Sequence, residues 1–81
     1  MIYKSCREEI LSTVKEILNE KGKDDFTIIE VLEAMNRNNT TYSEYTIRTH
    51  ISSRCCSNAP NHHKIVFHDY YRIERGKYRL L

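Results

Sequence analysis

Apolar positions along this chain switch period once. They recur at helical spacing at Cys6, Ile10, Val14, Ile17 and Leu18, again at Ile28, Val31, Leu32 and Met35, and a third time at Ile47, Ile51 and Cys55. From His62 onward the spacing is that of extended chain. Lys64-Ile-Val-Phe67 is short and β-rich, Tyr71 alternates with Ile73, and Tyr78 alternates with Leu80. The pattern predicts one domain, residues 1–81, with helices over about residues 5–21, 28–38 and 43–57 and a β-hairpin over about residues 70–81.

Local chemistry marks the ends of these elements. Ser5 with Glu8, and Thr27 with Glu30, are spaced as capping boxes, and Phe26 with Val31 adds a hydrophobic staple to the second. Gly22 is a natural terminator of helix one, and Asn36-Arg-Asn-Asn-Thr-Thr stops helix two with turn-forming residues. Phe26 and Thr27 are expected to contribute one short strand pairing. Ser43 or Thr41 caps helix three after only a few residues, which is helix-turn-helix spacing, and Pro60 lies just beyond its end. In the hairpin, the Glu74-Arg-Gly-Lys77 turn places Gly76 where a positive φ is demanded.

With 81 residues and 40% hydrophobic content, the chain supports one small core and no second one. No apolar run approaches the roughly 20 residues that cross a bilayer. The N-terminus lacks the apolar block of a signal peptide, so a cytoplasmic protein without membrane contact is expected. The three cysteines are odd in number and two are adjacent, which favours reduced thiols over a disulfide framework. Charge is uneven. Residues 1–41 hold six Lys/Arg against eight Asp/Glu, whereas residues 42–81 hold seven against three, together with all four His. An acidic supporting half joined to a basic presenting half suits a module that binds a polyanion.

Helix three carries the candidate chemistry. Opposite its Ile47, Ile51 and Cys55 stripe lie Tyr45, Thr46, Thr49, Ser52, Ser53 and Cys56, with Arg48 and Arg54 on the flanks. Short hydroxyls let a helix approach a groove closely, an aromatic ring and hydroxyls can meet base edges, and guanidinium groups can reach phosphates. The ordinary alternative is an amphipathic helix rich in Ser and Thr. The hairpin tip is also basic, with Arg75 and Lys77 at the turn and Arg72 and Arg79 nearby; charged tips otherwise serve solubility. Helix one exposes Glu8, Glu9, Glu16 and Glu20 and reads as support. Among the tyrosines, Tyr3, Tyr71 and Tyr78 are expected to face the core, while Tyr42 and Tyr45 stand at the start of helix three as contact candidates.

Cys55 and Cys56 with His62, His63 and His68 raise a zinc site, but adjacent helical cysteines point about 100° apart and could hardly bind one ion. No nucleophile turn accompanies the Cys and His residues, and neither Gly lies in a phosphate-binding loop motif. The expectation is a protein that is not an enzyme, with no cofactor, no metal and no small-molecule substrate, with Cys55 in the core and Cys56 on the surface.

The element order is that of a winged helix-turn-helix: an α+β domain, mainly α, of three helices followed by a β-hairpin wing. The chain also resembles a family of small prokaryotic winged-helix modules, some of them fused to restriction-nuclease-like domains. The resemblance is carried by Phe26-Thr27 with Glu30-Val31, Tyr42-Ser-Glu44, Thr46-Ile-Arg-Thr-His-Ile51, Ser53-Arg54, Asn58-Ala-Pro60, Arg72-Ile73, Arg75-Gly76 and Tyr78-Arg-Leu80, within Cys6 to Leu80. It implies a DNA-binding role, as a small regulator of transcription or a targeting module. The expected partner is double-stranded DNA, with Tyr45, Thr46 and Thr49 at base edges, Tyr42 and Ser53 beside them, and Arg48, Arg54, Arg75 and Lys77 on phosphates. A protein partner or a second copy is the other expected contact. The competing reading is a winged-helix adaptor or inhibitor that binds protein and no nucleic acid.

Overall fold

The computed structural model describes residues 5–58 and 67–81. Helix α1 spans Cys6–Lys21, strand β1 Asp25–Thr27, helix α2 Ile28–Arg37 and helix α3 Glu44–Thr49, which continues as a π-helical turn over His50–Arg54. Strands β2 (Tyr70–Glu74) and β3 (Lys77–Leu80) form the hairpin, and β3 is the central strand of an antiparallel sheet ordered β1-β3-β2. The protein is thus a small α+β domain of three helices and a three-stranded sheet.

The local signals act as the sequence predicts. Both capping boxes close, Ser5 with Glu8 and Thr27 with Glu30, and Ser43 caps α3 by accepting from the Thr46 N–H. Gly22 ends α1 in the left-handed region at φ 66°, and Gly76 turns the hairpin at φ 75°. The short strand expected at Phe26 and Thr27 forms and pairs with β3, Phe26 facing Tyr78. The core lies between the helices and one face of the sheet. Ile10 and Val14 of α1, Val31 and Met35 of α2, and Ile47 and Ile51 are buried there with Phe26, Tyr70 and Tyr78. Phe26 is the hub of the aromatic group, edge-on to Tyr70 at 5.3 Å and stacked on Tyr78 at 6.2 Å.

Three expectations are corrected. Helix three does not run to residue 57 as one α-helix. His50 Nδ1 donates to the Thr46 carbonyl at 2.9 Å and Ser52 Oγ to that of Arg48 at 2.7 Å, while the Cys55 N–H reaches back to His50. Side chains thereby compete for the carbonyls of the regular ladder, and the last turn widens. Cys56 is consequently not on the surface. It is 1% exposed, bridges to Tyr70 and donates its thiol to Asn58 Oδ1 at 3.0 Å. Finally, Tyr71 does not face the core but is 41% exposed, with Ile73 two residues on also exposed at 48%, and Tyr70 is the buried ring. The register Tyr70↔Leu80 and Tyr71↔Arg79 decides this, because a one-residue offset exchanges the two faces of a strand. Tyr3, Pro60, His62, His63 and residues 64–66 of the expected extended run fall outside the described residues, and Phe67 lies in no strand.

Several of the sheet's outer backbone groups are also engaged. At β1 the Thr27 N–H donates to Glu30 Oε1 at 2.8 Å, and the Asp25 carbonyl accepts from Lys21 Nζ at 3.0 Å. Along β2 the Tyr70 carbonyl accepts from the Ser57 N–H and its N–H donates to the Cys55 carbonyl. The Asn58 amide then pairs with both the N–H and the C=O of Arg72, at 2.9 and 3.1 Å.

Candidate nucleic-acid interface

Helix α3 is held by Ile47 and Ile51, so its opposite side is turned outward. Tyr45 is 79% exposed there, Thr49, Ser52 and Ser53 are half-buried, and Arg54 is exposed. Thr46 is half-buried and its hydroxyl is shared with the cap through a 2.8 Å bond to Ser43 Oγ. Tyr42 is placed differently from Tyr45. It is half-buried, packs against the core cluster and walls a groove between α2 and α3.

The proposed phosphate-binding cations divide into two kinds. Arg48 lies 3.6 Å from Glu44, one turn away, and Lys77 lies 3.6 Å from Asp25 and 3.9 Å from Glu74. Arg54 and Arg75 have no carboxylate within ion-pair distance among the described residues, and neither do Arg72 and Arg79. All four of these arginines are exposed. Arg79 stacks over the Tyr71 ring at 5.2 Å, which holds its guanidinium without neutralising it.

Asn58 links the helical and hairpin parts of this set. The chain leaving the π turn runs beside β2 through the Cys56↔Tyr70 bridge and the Asn58 bonds to Arg72, so Arg54 and Arg72 come from adjoining paths. A second clamp fixes the same segment from α1: the Arg7 guanidinium grips Asp69 with two bonds at 2.8 and 2.9 Å and covers the Phe67 ring at 4.1 Å. The Asp69 hydrogen bond, joined by the carboxylate charge, raises the Arg7 pKa despite the opposing effect of burial. Sequence reasoning placed Arg72 and Arg79 near the hairpin tip without assigning them contacts, and it gave Asn58 no part in joining helix three to the hairpin. Strand alternation signals the arginines; nothing in a single sequence signals that Asn58 reaches Arg72.

Two of the thiols, Cys6 and Cys55, are held in the neutral form. Burial, and then the neighbouring Asp69, push the Cys55 pKa up to about 12, and burial raises that of Cys6 as well. Among the described residues no three His, Cys, Asp or Glu side chains gather as a metal ion would require.

Fold and surface therefore define a small α+β domain that presents a hydroxyl-bearing helix beside an arginine-bearing hairpin. The chain belongs to the family described as Domain of unknown function (DUF7669), which matches residues 7–80. No curated protein and no solved structure matches it.

Proposed function

We propose that this protein is a winged-helix DNA-binding domain that lays α3 in the major groove and sets its hairpin, the wing, against the neighbouring backbone. The observation that carries the reading is the set of four exposed arginines, Arg54, Arg72, Arg75 and Arg79, left without carboxylates where the helix end and the hairpin adjoin. Such groups supply phosphate contacts, and Tyr45, Thr49 and Ser53 on the rigid helix face supply the base-edge contacts. The resemblance of the helix-three and hairpin segments to small prokaryotic winged-helix modules supports the same role, as a small cytoplasmic regulator of transcription or a targeting module. Titration with random duplex DNA at low and moderate salt tests it. Affinity should fall steeply with salt, with a logarithmic slope of roughly −3 for three to four phosphates; absence of binding at every salt concentration rejects it.

A second reading, a protein-binding adaptor or inhibitor on the same fold, is favoured by one observation. Arg48 and Lys77, two of the cations expected on phosphates, are already held by carboxylates.

A further inference from the structure

The groove between α2 and α3 has the opposite character to the arginine-bearing surface. It is an open cavity of about 350 Å³ that, among the described residues, no Lys, Arg or His lines. Its apolar wall is Leu32, Tyr42 and Ile47, all buried or half-buried, while Glu33, Asn36 and Glu44 line it as exposed polar groups. Glu33 has no ion-pair partner among the described residues, and Glu44 touches only Arg48, at 3.6 Å, with its own side chain 68% exposed. The volume is near the lower limit of small-ligand pockets, so it accommodates one long side chain better than a helix or a large cofactor. An apolar wall beneath two carboxylates selects a group that is apolar along its stem and cationic at its tip. The carboxylates and the Asn36 carbonyl are separate acceptors, which a guanidinium with five fixed donors serves better than a compact ammonium.

We propose that this groove docks an arginine side chain of a partner polypeptide. The groove adjoins the proposed DNA surface at Tyr42 and at Glu44, which pairs with Arg48, but its other carboxylate, Glu33, stands on α2, so the proposal stands whether or not duplex binds.

The test is an amide-resolved NMR titration of the full chain with a blocked Leu-Arg-Leu peptide, beside its isosteric, uncharged citrulline counterpart. The arginine peptide should shift amides within residues 32–47, with the citrulline peptide about three- to tenfold weaker. Glu33→Gln with Glu44→Gln should reduce arginine-peptide binding to the citrulline level, and Glu33→Gln alone should leave duplex affinity unchanged. Both positions are exposed, so these variants keep the fold. Equal binding of the two peptides, shifts elsewhere, or no shift at millimolar peptide would overturn the proposal. Shifts of residues 32–47 on concentrating the chain alone would also overturn it, by showing that a second copy's arginine fills the groove.

Discussion

The two sides of the sheet treat their charges in opposite ways. At the β1 side Lys21 donates to Glu30 at 3.0 Å and Lys77 sits between Asp25 and Glu74, so each cation is matched by carboxylates from other elements. At the β2 side Arg72, with Arg75 beyond it at the tip, has no such partner among the described residues, and neither has Arg54 at the end of the π turn. Exposed pairs of the first kind contribute little stability each, but they neutralise charge and fix the entry to α2. The difference shows that charge available to a polyanion is not the number of basic residues. It is what remains after the fold has matched its own carboxylates, and here that remainder lies along one path.

The comparison is tested most severely at the residue both sides lean on. Phe26→Ala removes the ring that contacts Tyr70 of β2 and Tyr78 of β3, and should cost about 3 to 5 kcal/mol in urea denaturation. A much smaller loss would mean that backbone pairing alone holds the two sides together. The difference in charge is sharpened by two multiple variants. Arg54→Gln, Arg72→Gln and Arg75→Gln together should flatten the salt slope of duplex binding by about two to three, whereas Arg48→Gln with Lys77→Gln should change it by no more than about one. Equal changes would erase the distinction between matched and unmatched cations.

Two smaller effects concern buried and paired polar groups. Tyr70 Oη is buried without a hydrogen-bond partner among the described residues, so Tyr70→Phe should raise stability by about 1 kcal/mol in a thermal melt; a loss would reveal a partner for the hydroxyl. At the β1 side, burial pushes the Glu30 pKa up, but the Thr27 N–H and Lys21 outweigh it and hold the carboxyl below its ordinary value of 4.5. A depressed pKa means that Glu30 stabilises the fold fully above the ordinary value and ceases to do so as pH falls through the lowered one. Glu30→Gln should therefore lower Tm slightly at neutral pH and not at all in strong acid, as parallel melts would show.

What the sequence made legible was local. The capping boxes at Ser5 and Thr27, the stops at Gly22 and Gly76, and the burial of Ile47 and Ile51 depend on neighbours within one or two turns, and pattern alone exposes them. Tyr71 was misassigned and Tyr70 left unassigned because consecutive tyrosines carry no alternation, and their faces are set by distant Leu80 and Cys56. The π turn escaped because bonds from His50 and Ser52 to carbonyls create it, with no change in the apolar period. At the candidate site, Tyr45, Arg54 and Arg75 could be recognised as exposed groups. Lys77 could not be recognised as matched to Asp25, which lies in another element, whereas the Glu44 and Arg48 spacing of four could have announced a pairing that the reading of Arg48 as a phosphate contact passed over.

The amide of Asn58 has a consequence for how the protein behaves when crowded. A cross-β stack grows by reading a row of free peptide groups, and a three-stranded sheet ordinarily offers two such rows. Here one row is read by Ser57 and Asn58, the latter presenting to Arg72 the same donor and acceptor as a peptide unit. The other is read by Glu30 and Lys21. A strand added at Tyr70, Arg72, Asp25 or Thr27 must first displace one of these groups, so the guarding of those edge positions rests on a few polar contacts rather than on the core.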